Sequence, residues 1–273
     1  MNPYETSIYY SILPLIIVSE IFILLFIYFA ITWGKRSKSQ ETLSRLHKSF
    51  IGIFFIEYWY WITRPILNFF KLIKITPNGI TAISILLSFA TGSLYAAGFI
   101  ALGGWFLIIS GSLDMLDGVL ARETNQTTKS GAFFDSCGDR YSDAFVFIGI
   151  AIYFLSKNIS TDAANFTITT FDYIGIVTIM TILLGTASMS YVKARGEVVG
   201  AATKRGLMQR TERVVMLAMY SVSDPFLRII LTEYNLNPDI VLITILIIMS
   251  ILINISALVR MIDLFNIIKK SYD

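Results

Sequence analysis

Seven apolar stretches, each of about twenty residues or more, run through this chain of 273 residues. Stretches of this length are long enough to cross the hydrocarbon core of a bilayer as α-helices. Helices are expected because backbone that faces lipid must satisfy its hydrogen bonds internally. The sequence therefore predicts an all-α polytopic membrane protein, in keeping with its mean hydropathy of +0.67. The predicted spans cover residues 8–33, 77–98, 101–122, 131–156, 173–194, 213–232 and 239–265.

Basic residues are distributed unevenly among the predicted loops. They concentrate after the first span, between the fifth and sixth spans and at the C-terminus, whereas residues 1–7, 99–100, 157–172 and 233–238 hold one, Lys157. Cytoplasmic loops of membrane proteins carry such an excess of Lys and Arg. The asymmetry predicts that the basic loops face the cytoplasm and the N-terminus lies outside. The basic set is Lys35, Arg36, Lys38, Arg45, Lys48, Lys193, Arg195, Lys204, Arg205, Arg210, Arg213, Lys269 and Lys270.

An aromatic stretch, residues 49–75, lies between the first two spans and is interrupted by Glu57, Arg64, Pro65 and Lys71. It is too polar for a clean span. An interfacial amphipathic helix, with its Trp and Tyr rings at the headgroup level, fits it better. A connector helix that packs without touching lipid is the alternative. The predicted regions are an N-terminal transmembrane helix with a basic connector (1–48), a juxtamembrane amphipathic helix (49–75) and a six-helix membrane domain (76–273).

Four carboxylates interrupt the third and fourth predicted spans: Asp114 and Asp117, then Asp135 and Asp139. An acid in the membrane is costly and indicates a functional site. Asp114 and Asp117 are three residues apart, and Asp135 and Asp139 are four apart, so each pair shares a helix face. The third span runs inward and the fourth outward, which places both pairs at a similar, cytoplasmic depth. We expect the two helices to present four carboxylates to one cavity, where a hard cation such as Mg²⁺ would offset their charge.

The residues around these acids follow the pattern D-x2-D-G-x2-A-R-x8-G-x3-D-x3-D. By this pattern, its length and its hydropathy, the chain resembles the CDP-alcohol phosphotransferase (CDP-alcohol phosphatidyltransferase) family from about Arg64 to the C-terminus. The resemblance implies an integral membrane enzyme with a six-helix core preceded by a juxtamembrane helix, to which residues 1–50 look like an addition. The pattern positions are Asp114, Asp117, Gly118, Ala121, Arg122, Gly131, Asp135 and Asp139.

The resemblance implies a metal-dependent transfer from a CDP-linked lipid, either CDP-diacylglycerol or CDP-archaeol, to an alcohol, with release of CMP. Asp114, Asp117 and Asp135 would hold one or two Mg²⁺ (or Mn²⁺) ions, while Asp139 lines the metal site and acts as the catalytic base on the acceptor hydroxyl. Asp143 extends the same face outside the pattern and is expected to support the site rather than bind the ion. The implied donor-binding residues are Asn78, Asp117, Gly118, Ala121, Arg122 and Gly131.

A second cationic group marks the end of the fifth span and the start of the sixth. The segments SYVKARGE and RTER resemble the SYxKARAE and RxxR segments of phosphatidylinositol-phosphate and archaetidylinositol-phosphate synthases, with Gly196 in place of the usual Ala. Cations near the carboxylate depth could hold a phosphate on the acceptor. The expected acceptor is therefore inositol 1-phosphate. The predicted acceptor-phosphate residues are Ser190, Lys193, Arg195, Arg210 and Arg213.

Several other functions are compatible with parts of this sequence. Glycerol 3-phosphate also carries a phosphate, so a phosphatidylglycerophosphate synthase is the main competitor, and a choline or ethanolamine phosphotransferase would share the Asp pattern. The cations could also be ordinary cytoplasmic-loop residues near anionic headgroups. Outside enzymes, a cation or proton transporter also carries acids in its membrane helices.

The cysteine and histidine counts exclude several kinds of functional site. One cysteine (Cys137) and one histidine (His47) exclude a disulfide within the chain, a Cys/His zinc site and a plausible Ser-His-Asp triad. The expected surroundings are a lipid bilayer with the active site facing the cytoplasm, and no nucleic-acid partner is expected. The family resemblance implies a homodimer in which each active site lies within one protomer.

The predicted topology has a direct test. An accessible tag at Asn2 should label from outside and one at Lys204 from the cytoplasm, because five of the seven predicted spans lie between them and the charge asymmetry places the basic loops inside. Impermeant labelling of intact and opened cells measures both positions. Labelling of both from the same side would remove one span, and 8–33 is the first candidate.

Overall fold

The structure is a computed structural model that describes residues 3–33, 50–157, 168–201 and 206–272. Eight α-helices and no strand lie in these ranges, which confirms the all-α architecture predicted from the sequence. The helices are α1 (Pro3–Thr32), α2 (Phe50–Leu72), α3 (Pro77–Ala96), α4 (Ile100–Glu123), α5 (Lys129–Ser156), α6 (Thr170–Val198), α7 (Arg210–Glu233) and α8 (Ile240–Tyr272).

Several topology markers lie outside the described residues. They include Asn2, most of the predicted outer connection 157–172, and Lys204 with Arg205 between α6 and α7. The basic connector after the first span also lies outside, with Lys35, Arg36, Lys38, Arg45, His47 and Lys48. The orientation of the chain in the membrane stays a prediction from charge.

Among the described residues, five helices are long and apolar enough to cross a membrane, namely α3, α4, α6, α7 and α8. They make the chain a multi-pass membrane protein. α5 is not among the five, and its first fifteen residues include Asp135, Asp139, Arg140 and Asp143. The seven-span count therefore stays a prediction for α1 and α5. α2 forms a helix over the aromatic stretch, and its predicted place at the membrane surface stays a prediction as well.

The helices pack as two compact units. The first contains α1, α2, the start of α3 and residues Leu116–Thr127, which include the end of α4. Here the Phe29 ring is buried, with its centroid 5.4 Å from that of Tyr58 and 5.5 Å from that of Trp61. Aromatic pairs in this range of separation stabilise helix contacts beyond simple area burial. α1 is thus packed on α2 by its rings, while the boundaries 1–48, 49–75 and 76–273 stay a prediction.

The second unit contains Thr81–Met115 and Thr128–Asp273, and glycines bring its helices into backbone contact. A Cβ on Gly149 of α5 would lie 2.1 Å from the Gly92 carbonyl oxygen of α3. A Cβ on Gly104 of α4 would lie 2.7 Å from the Ser221 Cβ of α7. Small residues allow such close approach between membrane helices, where no hydrophobic effect drives association. These contacts hold α5 against α3 and α4 against α7.

Buried and partly buried hydroxyl groups hydrogen-bond between the helices of this unit. The Ser88 and Ser110 hydroxyls lie 2.6 Å apart between α3 and α4, and the Tyr95 hydroxyl lies 2.8 Å from the Ser221 hydroxyl between α3 and α7. Between α6 and α8, the Thr181 and Ser250 hydroxyls are 2.6 Å apart. Hydrogen bonds of this kind act together with close packing to join membrane helices.

A buried ionic network closes the end of the unit farthest from the predicted site. Arg228 of α7 contacts Asp224 at 2.8 Å and Asp239 at 2.6 Å, while Lys157 bonds to Asp239 and lies 2.5 Å from Asp172. Lys157 follows α5, Asp172 begins α6 and Asp239 precedes α8, so four helices meet here. The network lies roughly 27 Å along α5 from Asp139. It serves packing, since no pattern residue takes part in it.

The helix contact at Gly149 predicts an effect on stability. Alanine normally stabilises a helix relative to glycine by about 1 kcal/mol. At Gly149, however, a methyl group meets backbone that cannot move aside, and such overpacking costs about 1–3 kcal/mol or more. Gly149→Ala should lower the thermal unfolding temperature of the purified protein in detergent.

Gly118→Ala is the matched control, since the atoms nearest to its added Cβ belong to the Arg122 guanidinium, at 3.3 Å, which is the end of a flexible side chain rather than backbone. An unfolding temperature of Gly149→Ala at or above that of Gly118→Ala would contradict the described packing.

Candidate active site and metal centre

Three of the four predicted carboxylates meet in the second unit. Asp114 on α4 and Asp135 and Asp139 on α5 each offer an oxygen, and these oxygens all lie within 4.8 Å of one another. All three residues are partly buried. The helical spacing of the acids and the pairing of their helices thus produce one cluster, which we call the carboxylate cluster.

A short turn ends α4 and a side-chain cap begins α5. Asn125 adopts a left-handed backbone conformation with φ 55°, and the Gln126 amide donates to the Ala121 carbonyl at 2.8 Å, which ends α4. Thr128 then caps α5, because its hydroxyl accepts a hydrogen bond from the Gly131 amide at 3.0 Å. Gly131 therefore lies in the first turn of α5, with Asp135 and Asp139 in the following turns.

Arg210, the first residue of α7, bridges the two helices that carry the carboxylate cluster. Its guanidinium bonds to the Asp114 carboxylate and lies 2.6 Å from Asp139 Oδ1. The contact with Asp139 is an ion pair whose geometry is not that of a hydrogen bond. The buried Asp139 Oδ1 therefore has no hydrogen-bond partner. Its Nε donates to Asp143 at 3.4 Å. A single guanidinium thus contacts three carboxylates.

Distant backbone contacts hold the segment that leads into Arg210. The Ser256 hydroxyl on α8 is fully buried and accepts hydrogen bonds from the Leu207 amide at 2.8 Å and the Met208 amide at 3.0 Å. The Gln209 amide donates to the Glu212 side chain at 2.9 Å, which satisfies a donor at the helix start. α8 therefore fixes where α7 begins, and with it the position of Arg210.

The other predicted acceptor residues lie in two settings. Arg213 is buried, and its Nη2 donates to Asp143 at 2.5 Å. Lys193 and Arg195, in the last turns of α6, are exposed, and Ser190 is partly buried. Lys193 lies 3.9 Å from Glu197 of the same helix. The α7 cations thus border the carboxylate cluster, whereas the α6 cations lie exposed at the end of their helix.

The remaining pattern residues belong to the first unit. Asp117 is buried, one turn along α4 from Asp114, and the exposed Arg122 side chain lies over Gly118. Ala121 is partly buried, and Asn78 is exposed in the first turn of α3. Their predicted roles with the donor and the metal stay predictions.

The residues present fit a divalent cation. Four carboxylates here face two guanidiniums, those of Arg210 and Arg213. The carboxylates are those of Asp114, Asp135, Asp139 and Asp143. A third guanidinium, that of Arg140, approaches Asp139 only at 3.8 Å. This arrangement leaves an excess of negative charge on closely spaced oxygens. Mg²⁺ and Mn²⁺ prefer oxygen ligands of this type. The cluster therefore has the charge and the donor atoms for such an ion.

A multi-pass helical membrane protein with a carboxylate cluster that could hold a divalent ion is the class that this fold and site define. The sequence profile described as CDP-alcohol phosphatidyltransferase matches residues 74–262. The chain belongs to the CDP-alcohol phosphatidyltransferase family, which confirms the resemblance found in the Asp pattern. Membership of this enzyme family favours an enzyme over the alternative of a cation or proton transporter.

Relatives in this family include enzymes named for inositol phosphates. The chain is 32% identical over 151 residues to the archaetidylinositol phosphate synthase of Methanothermobacter thermautotrophicus. The aligned region covers 55% of this chain and 68% of that protein. It is 30% identical over 175 residues to the phosphatidylinositol phosphate synthase of Mycobacterium marinum, covering 61% and 67% respectively.

Solved structures share the fold. The phosphatidylinositol phosphate synthase of Mycobacterium tuberculosis with CDP-DAG bound aligns with a TM-score of 0.60 at 23% identity, over 75% of this chain and 94% of that one. The same enzyme in complex with manganese and citrate aligns with a TM-score of 0.61 at 23% identity, over 74% and 88%.

The carboxylate cluster predicts a measurable metal affinity. Asp135→Asn replaces a charged ligand by a neutral amide, so the Kd for Mn²⁺ should rise by at least about tenfold. Isothermal titration calorimetry or Mn²⁺ electron paramagnetic resonance on the purified protein measures this. Glu233→Gln, an exposed acid at the end of α7, loses the same charge and should leave the affinity unchanged. Equal Mn²⁺ affinity in the wild type and Asp135→Asn would remove Asp135 from the metal centre.

Proposed function

We propose that this enzyme transfers the phosphatidyl or archaetidyl group of a CDP-linked lipid to inositol 1-phosphate and releases CMP. One observation carries the proposal: Arg210 lies against the carboxylate cluster with Arg213 one turn behind it. Such an arrangement can place an acceptor phosphate beside the reacting centre. The archaeal and mycobacterial relatives, which are inositol phosphate synthases by name, support the same acceptor.

We propose Asp114, Asp135 and Asp139 as the ligands of one or two Mg²⁺ or Mn²⁺ ions, with Asp117 as the fourth acid of the pattern. When bound, such ions offset the charge on the pyrophosphate oxygens as the donor is cleaved. The manganese complex of the mycobacterial enzyme supports a metal of this kind.

A side chain of the protein takes up the acceptor proton during the transfer. The Asp139 carboxylate takes the proton from the attacking hydroxyl of the acceptor, and that oxygen then forms a bond to the lipid-linked phosphorus. The bond from this phosphorus to the bridging oxygen breaks, and CMP leaves with the bonding electrons. A base must lie within hydrogen-bonding reach of the proton that it removes. The partial burial of Asp139 among the cluster is compatible with this role.

We assign the acceptor phosphate to Ser190, Lys193, Arg195, Arg210 and Arg213. Lys193 and Arg195 are exposed and can reach an incoming anion, while Arg210 lies next to the reacting centre. Guanidinium groups match phosphate oxygens in pairs, which orients the acceptor as well as binding it. Free inositol or serine offers no such anion to these cations.

The donor would be CDP-diacylglycerol or CDP-archaeol, with its tails in the bilayer and its nucleotide near Asn78, Asp117, Gly118, Ala121, Arg122 and Gly131. The CDP-DAG complex of the mycobacterial enzyme supports a donor of this class. We further propose that the site opens to the cytoplasm, that the N-terminus lies outside and that the enzyme is a homodimer. The charge asymmetry and the family resemblance support these assignments.

An acceptor panel tests the function. The purified enzyme is given CDP-diacylglycerol and Mg²⁺ with inositol 1-phosphate, glycerol 3-phosphate, serine or inositol, and CMP release is measured. Inositol 1-phosphate should be the best acceptor, EDTA should abolish turnover and Mg²⁺ should restore it. In the same assay, Lys193→Ala should raise the acceptor KM about tenfold, since it removes a charge-assisted hydrogen bond of about 1.5 kcal/mol.

Lys269→Ala, an exposed cation in the last turn of α8, is the matched control and should keep the wild-type KM. Full activity in EDTA would overturn the metal-dependent mechanism. A preference for serine or free inositol would overturn the acceptor-phosphate assignment, and a preference for glycerol 3-phosphate would change only the acceptor.

A further inference from the structure

Asp143 lies where the carboxylate cluster meets the arginines of α7. It is buried on α5 and does not belong to the group of three acids that can share a metal ion. Its Oδ2 accepts from Arg213 Nη2 at 2.5 Å and its Oδ1 accepts from Arg210 Nε at 3.4 Å. One carboxylate thus bonds both arginines of the RxxR segment.

The helical register explains this position. Asp135, Asp139 and Asp143 follow one another at intervals of four residues and therefore share one face of α5. Arg210 and Arg213 are three residues apart and share one face of α7. The first two acids face the metal centre, and the third meets the arginines. Asp143 is therefore the link between the cluster and the cations on α7.

Burial makes this link necessary. The Arg213 side chain is 6% exposed, and its Nε has no hydrogen-bond partner. Among the residues that the structure describes, Asp143 is the acid paired with Arg213. A buried guanidinium that loses its counterion is strongly destabilised and must move or recruit another partner. Without Asp143, Arg210 would also lose one of its three carboxylate contacts.

We propose that Asp143 is a positioning residue for the acceptor: it holds Arg210 and Arg213 in the arrangement that receives the acceptor phosphate, without contacting metal or substrate itself. The inference rests on the proposed function, because it assumes a phosphorylated acceptor. Loss of its negative charge would by itself increase attraction for a phosphate. The loss of arginine placement outweighs this gain, since both guanidiniums are largely buried and Asp143 contacts each of them.

Asp143→Asn tests the proposal, because the amide keeps the shape of the side chain and removes its charge. The KM for the acceptor should rise at least about tenfold, as expected for the loss of one charge-assisted contact. The KM for CDP-diacylglycerol and the Kd for Mn²⁺ should stay within about twofold of wild type. Asp143→Glu, which restores the charge, should recover part of the acceptor affinity.

Asp224→Asn is the matched control. Asp224 is also buried and also pairs with an arginine of α7, Arg228, but at the far end of the unit. Its loss should lower the unfolding temperature and leave the ratio of the two KM values unchanged. If Asp143→Asn changes that ratio no more than Asp224→Asn does, or if it tightens acceptor binding, the positioning role is overturned.

The double variant Asp143→Asn/Arg213→Gln removes both buried charges and covers the case in which Asp143→Asn fails to fold. Because Asp143 acts partly through Arg213, the removal of Asp143 should raise the acceptor KM by a smaller factor in the Arg213→Gln background than in the wild type, where its contact with Arg210 is lost as well. An equal factor in both backgrounds would overturn a role exerted through Arg213. The acceptor panel with the wild-type enzyme distinguishes the proposed function from the positioning role. If the wild type does not prefer phosphorylated acceptors, the proposed function is overturned. If it does prefer them but the acceptor KM is unchanged in Asp143→Asn, only the positioning role is overturned.

Discussion

The charge balance between α5 and α7 is the interaction on which the site depends. Asp135, Asp139 and Asp143 follow one face of α5, and Arg210 and Arg213 face the latter two from α7. Charges removed from water are stable only when they are paired with good geometry. Neither helix could keep its charged face in an apolar bundle without the other. The negative charge that remains after this pairing is what makes the cluster suitable for a divalent ion.

Close packing gives this balance its geometry. Glycine contacts bring α5 against α3 and α4 against α7, and Ser256 fixes the segment that precedes Arg210. At the other end, Arg228 and Lys157 join the ends of α5, α6, α7 and α8 through buried acids. α7 is therefore held against α5 at two levels roughly 27 Å apart. Sliding of one helix along the other would break ion pairs at both ends, so the site is expected to be rigid.

Helical spacing and hydropathy made much of this arrangement predictable from the sequence. Asp114, Asp135 and Asp139 could be placed together because both their helix faces and their membrane depth follow from residue positions. Hydropathy marks only the apolar part of a helix, and α6 accordingly continues to Val198, past the predicted boundary at 194. The contacts of Arg210 with Asp114 and Asp139 could not be predicted, since spacing within α7 does not identify its neighbours. The role of Ser256 could not be predicted either, because its partners are backbone amides about fifty residues away in the chain, at 207 and 208.

A crystal structure of the enzyme with Mn²⁺ and inositol 1-phosphate, with anomalous scattering recorded for manganese, tests the central claim most directly. Manganese should lie between the carboxylates of Asp114, Asp135 and Asp139. The acceptor phosphate should contact the Arg210 guanidinium, and Arg213 should remain paired with Asp143. Manganese bound away from these three acids, or a phosphate bound with no contact to α7, would contradict the account.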